Sequence, residues 1–111
     1  MKTFAQALDL RDDPQTIANY DEHHRAVWPE VKAALRAIGI VDMQIFRAGN
    51  RLFMTFTAPD DFVPARDFAS YTAVPRAREW DELMRGFQQP VPDAPAGAWW
   101  TPMEKVFDLS W

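Results

Sequence analysis

Residues 2–9, KTFAQALD, mix apolar and small side chains in a way that fits a half-buried first strand. The spacing then becomes helical. From Pro14 to His24 a stripe runs through Ile17, Tyr20 and His24, and Asp12-Asp13-Pro14 supplies the start: an Asp that accepts from unpaired amides, then a proline with no amide to satisfy. Val27-Trp28-Pro29-Glu30 breaks this helix, because the residue before a proline avoids the αR region. A second helical piece runs from Pro29 through Val31, Ala34, Leu35 and Ile38 to a stop at Gly39. Alternation follows: residues 40–46 carry Val41, Met43 and Ile45 on one face, with Asp42 and Gln44 on the other. Residues 52–57 carry Leu52, Met54 and Phe56 on one face, with Phe53, Thr55 and Thr57 on the other. Ala48-Gly49-Asn50 joins the two strands as a hairpin. Pro59-Asp60-Asp61 and Pro64 mark a loop, and helical spacing returns at 76–87 through Trp80, Leu83, Met84 and Phe87. Pro90, Pro92, Pro95 and Gly97 make an irregular connection, and residues 99–109 predict a last strand.

The order is therefore strand, broken helix, strand, strand, helix, strand. It predicts a single α+β domain over residues 1–111: a ferredoxin-like antiparallel sheet with helices on one face. The other face of such a sheet has no helix to cover it, so two copies are expected to pair as a homodimer, a dimeric α/β barrel. With 111 residues, 48% of them hydrophobic and 25% charged, a second core does not fit and the composition argues against wholesale disorder. No apolar run approaches the ~18–20 residues of a membrane span, and no secretory signal opens the chain. Together with the absence of cysteine, this gives a cytoplasmic expectation.

Charge and composition narrow the chemistry further. A net charge of -4 argues against a phosphate-tracking nucleic-acid surface. Without cysteine there is no thiolate nucleophile and no cysteine-ligated metal. His23 and His24 are adjacent, hence about 100° apart on a helix and poorly placed to share an ion. No G-x-S-x-G elbow and no glycine-rich phosphate cradle is present. The excess lies in aromatics, 14% of the chain with five tryptophans. Tyr20 and His24, four apart, share a helical face and suit binding and proton transfer on a polar, uncharged molecule such as a sugar. The same spacing also fits plain packing of Tyr20, with His24 satisfied at a helix end. Trp28, Trp80, Trp99 and Trp100 are indoles that stack on pyranose rings, or else core and interface residues. In Glu79-Trp80-Asp81-Glu82, the two glutamates share one side of the helix. Asp81 projects differently, toward any pocket that Trp80 walls, unless all three acids form a solvated face.

One string joins several of these residues: Tyr20-x-x-x-His24-x-x-x-Trp28-Pro29-Glu30-Val31, followed by Gly39-Ile40. With Asn50-Arg51-Leu52-Phe53, Trp80-x-x-x-Met84 and Met103-Glu104-x-x-Phe107, it resembles the L-rhamnose mutarotase family over nearly the whole chain. The resemblance implies a small, cofactor-free, dimeric isomerase that interconverts the α and β anomers of a free deoxyhexose. It implies that His24 is the acid that protonates the ring oxygen, that Tyr20 binds substrate, and that Trp80 is the first of a substrate-binding tryptophan pair. Two departures stand out. Asp81 occupies the second position of that pair, and Met43 stands where the rhamnose enzymes carry a substrate-contacting tyrosine. A tryptophan followed by an acid is similar to the L-fucose branch, which makes L-fucose the expected sugar and L-rhamnose the second. Asp81 is then the candidate base, and Trp28, Met43 and Trp100 are candidate pocket residues. A non-enzymatic sugar-binding domain on the same scaffold and a cofactor-independent monooxygenase are the alternatives.

Overall fold

In the computed structural model, which covers residues 1–111, the chain runs β1 (Lys2–Leu10), α1 (Pro14–His24), α2 (Pro29–Ala37), β2 (Asp42–Ala48), β3 (Arg51–Ala58), α3 (Pro64–Thr72), α4 (Pro75–Arg85), β4 (Gln88–Gln89) and β5 (Thr101–Pro102). All pairings are antiparallel and the strand order is β2-β3-β1-β4. β5 pairs with β1 at Gln6 and Ala7, on the same edge where β4 pairs with Asp9 and Leu10. This is the α+β arrangement that the order of elements predicts. No helix is long and apolar enough to cross a membrane.

Local chemistry accounts for most boundaries. Each of the four helices begins on a proline, whose missing N–H is one the first turn leaves unbonded in any case. Asp13 caps α1, its carboxylate accepting from the Thr16 backbone N–H at 3.0 Å. Gly39 closes α2 at φ 103°, a backbone conformation that L side chains rarely adopt. In the hairpin, Gly49 alone takes a positive φ, at 60°. Asn50 instead donates its side-chain amide to the Leu10 carbonyl, tying the turn to β1.

Three expectations are corrected. The loop predicted between Pro59 and Arg76 contains the helix α3. Pro64 breaks nothing because it stands at the first helical position, and the segment is held by burial of Tyr71 and by Phe68, whose ring meets Phe56 and Phe62 edge-on at 5.6 and 5.7 Å. The predicted last strand, residues 99–109, shrinks to Thr101–Pro102, extended only by the Met103 backbone N–H donating to the Ala5 carbonyl. Its apolar residues Val106, Phe107 and Leu109 are exposed, with no neighbouring strand to pair with. Third, α4 ends at Arg85, and the sequence beyond it supplies the short strand β4.

Register decides which side chains meet the helices. Leu8 faces Leu52, Gln6 faces Met54 and Phe4 faces Phe56, so even-numbered positions of β1 and β3 share one side with Met43 and Ile45 of β2. That side carries the buried Leu8, Leu10, Leu52, Met54 and Phe56 beneath the helices. The opposite side carries Thr3, Ala5, Ala7, Phe46, Phe53, Thr55 and Thr57 without a helical cover. Its single charged pair is Asp9 with Arg51, bidentate at 2.7 and 3.1 Å.

Candidate active site

The helices do not close fully over the sheet. They leave a cavity of about 690 Å³, bounded by α1, α2 and α4, by Tyr71 of α3, and by the helix-facing side of the sheet. Its walls are mainly apolar, and a few polar groups converge in it, the usual make-up of a small-molecule site.

Tyr20 and His24 enter from the last turns of α1. Their four-residue spacing stacks the rings, with centroids 4.1 Å apart and planes 27° from parallel. Tyr20 is buried at 3% exposure, and burial, with the Asp21 carboxylate adding to it, pushes its phenol well above the ordinary value. Tyr20 therefore acts as a neutral hydroxyl. His24 Nδ1 lies 3.0 Å from the Tyr20 carbonyl oxygen. A carbonyl only accepts, so Nδ1 carries the hydrogen and Nε2 is the nitrogen left to exchange a proton. Burial lowers the His24 pKa below its ordinary 6.5, and the carbonyl contact opposes that shift only in part. His23 turns aside: its Nδ1–H donates to the Asn19 carbonyl at 2.7 Å and its ring meets Phe87 at 5.3 Å. Asp21 is held in an ion pair with Arg47.

Trp80 and Asp81 enter from α4. Trp80 is both core and wall. It is 5% exposed, and it meets Trp28 edge-on at 5.1 Å and His24 at 5.5 Å while lining the cavity. Asp81 also lines the cavity, whereas Glu79 and Glu82 are exposed and Glu79 pairs with Arg76. Burial raises the Asp81 pKa above the ordinary 3.8, with the Tyr71 hydrogen bond and the Arg85 charge opposing the shift. Met43 and Trp100 line the cavity as well. Trp28 is not among the lining residues: its ring meets Trp80 edge-on, and the Arg76 guanidinium lies over it, 3.8 Å from the ring centroid. Trp28, expected as a pocket residue, thus packs beside the cavity wall at Trp80.

None of the other polar residues at the cavity, among them Gln6, Gln88 and Tyr71, was named from the sequence as a site residue. Gln6 and Gln88 are buried lining residues, and Tyr71 hydrogen-bonds Asp81. A signal existed for Gln6, since in β1 it is the one polar side chain among Phe4, Leu8 and Leu10 on the inward face. Tyr71 sat in a segment read as loop, where no face can be assigned.

Comparison with known proteins completes the description of the site. The family profile for L-rhamnose mutarotase matches residues 3–109. The chain belongs to the L-rhamnose mutarotase family. Members of this family are sugar-anomer isomerases. Among relatives, a UPF0734 protein of Dictyostelium discoideum is 50% identical, the alignment covering 99% of this chain and 91% of that protein. An L-fucose mutarotase of Xanthomonas campestris is 40% identical, over 99% of this chain and 90% of that one. Among solved structures, an L-rhamnose mutarotase from Formosa agariphila superposes with a TM-score of 0.69 at 26% identity, covering 98% of this chain and 99% of that one. That mutarotase family fold is the open antiparallel sheet described above.

Proposed function

We propose that this chain is an aldose mutarotase that interconverts the α and β anomers of a free deoxyhexose, L-fucose in preference to L-rhamnose. The observation that carries this reading is that an imidazole and a carboxyl group from different helices, His24 and Asp81, line one largely apolar cavity with Tyr20 and Trp80. The choice of sugar is supported by the 40% identity to a protein named an L-fucose mutarotase and by the Trp80-Asp81 pair.

The reaction needs only two proton transfers. Asp81 removes the proton from the anomeric hydroxyl as the C1 carbonyl forms and the bond from C1 to the ring oxygen breaks; His24 gives its Nε2 proton to the departing oxygen. Rotation about C1–C2 presents the other carbonyl face, and the two transfers run in reverse to close the ring. After opening, His24 is neutral and Asp81 is protonated. Burial favours that pair of states at both groups, so closure starts from the forms the site prefers. Tyr20 orients hydroxyls, Trp80 offers an apolar edge, and Met43 and Trp100 bound the ring.

The two shifts make a pH prediction. Opening needs Asp81 ionised, which is lost as pH falls through a pKa above 3.8, and His24 protonated, which is lost as pH rises through a pKa below 6.5. The kcat/KM of the catalysed exchange is expected to be bell-shaped, with its maximum between these limits. NMR exchange spectroscopy of L-fucose, L-rhamnose, galactose and mannose across pH, corrected for the buffer rate, measures it. Sugar binding without accelerated exchange for any of them would leave a binding module instead of an enzyme.

We further infer that the molecule works as a homodimer joined through its uncovered sheet face. Phe46 and Phe53 are 55% and 36% exposed there, with ring centroids 6.4 Å apart, amid small and hydroxylated side chains. Light scattering is expected to return twice the chain mass for the wild type and the single-chain mass for Phe53→Glu; a monomeric wild type would overturn the inference.

A further inference from the structure

The Tyr71 hydroxyl donates to Asp81 Oδ1 at 3.1 Å, the only hydrogen bond that the chain makes to this carboxylate. No buried side-chain oxygen lacks a partner, so Asp81 Oδ2 is open to solvent rather than sealed in the core. Tyr71 itself is anchored: it is 6% exposed, and its ring meets Phe68 edge-on at 6.3 Å. A two-residue link, Ala73-Val74, joins α3 to α4, and the Val74 N–H donates to the Tyr71 carbonyl, so the ring and the carboxylate belong to one tight helical corner.

We propose that Tyr71 is a positioning residue for the reaction: by holding Oδ1 it fixes the Asp81 carboxylate so that Oδ2 is the oxygen presented to the sugar. This rests on the reading of Asp81 as the base. Reactive groups are effective when a packed neighbour locks their rotamer, and a rigid phenol does this better than water. The same hydrogen bond sets when the base is available, since a donor to the ionised form favours it. Burial and a nearby carboxylate both push the Tyr71 phenol up, so it stays a donor wherever Asp81 ionises. Other titratable groups that line the same cavity are Arg85 on the same helix as Asp81, Lys32 and Arg36 of α2, Tyr20 and His24 of α1, and Asp42 of β2. None of them hydrogen-bonds the carboxylate, so the loss of Tyr71's hydroxyl is not made good by a neighbour.

Tyr71→Phe keeps the ring and its packing while deleting the donor. Titration of the Asp81 carboxyl by ¹³C NMR, assigned by its absence in Asp81→Asn, is expected to move up by roughly one pH unit in Tyr71→Phe. The acid limb of kcat/KM is expected to move up with it, and kcat to fall. An unmoved Asp81 titration overturns the proposal, and so does a moved titration with an unmoved acid limb. The titration needs no substrate, so absence of sugar exchange in the wild type, which would defeat the functional reading, still leaves Tyr71's hold on Asp81 decided.

Discussion

His24→Ala is expected to slow catalysed anomer exchange by about 10²–10⁴-fold, the range that a general acid typically contributes. The loss should fall on kcat, because the substituted side chain acts on a proton that moves only in the transition state, while Tyr20, Trp80 and the cavity walls remain to bind the ground state. The residue is suited to this test because its ring is only half-buried and its hydrogen bond is local, from Nδ1 to a carbonyl one turn earlier. Removing it leaves no charge stranded in the core. The variant should therefore fold, as near-UV circular dichroism can verify, and exchange rates for L-fucose by NMR give the catalytic loss. His24→Ala with undiminished exchange would end the acid–base mechanism proposed for this site.

Trp80→Ala should have the largest effect on stability. Trp80 belongs to the same buried cluster as Leu8, Leu10, Val31 and Met84, and its indole contacts Trp28, His23 and His24. Deleting a buried tryptophan costs about 3–5 kcal/mol, a large share of the roughly 5–15 kcal/mol that holds a typical domain together. Near this size each kcal/mol shifts Tm by roughly 4–8 °C, so a fall in Tm of more than ten degrees is expected by calorimetry. Trp80→Phe restores much of the volume and should recover most of that loss. Any remaining rise in KM in the phenylalanine variant reports on the wall that Trp80 presents to the sugar. A Trp80→Ala protein as stable as the wild type would mean that Trp80 is a binding platform alone.

These two residues show what a linear reading can and cannot separate. The i, i+4 relation of Tyr20 and His24 is a property of the helix, so their stacking was legible before any fold was known. Trp80 was legible as an aromatic on an amphipathic helix, but periodicity cannot tell a core face from a cavity wall when one ring serves as both. Asp81 differed from its acidic neighbours by direction only, and its burial depended on α3, an element hidden behind proline and aspartate punctuation. Trp28 carried the same local signals as a pocket residue. Its packing is set by Arg76 over its ring and by Trp80 at its edge, both distant in sequence.

By itself the sequence determined the α+β class, the hairpin, the starts of α1 and α2 and the Tyr20–His24 pair, because caps, turns and spacing act within a few residues. Only the tertiary structure decided that the last strand is two residues long, that Gln6, Gln88 and Tyr71 reach the cavity, and that burial pushes the Asp81 pKa up while Asp21 is held in an ion pair with Arg47. Those outcomes depend on desolvation and on partners tens of residues apart. The 14% of aromatic residues that distinguish this chain are thereby divided by packing among core, cavity wall and uncovered sheet face.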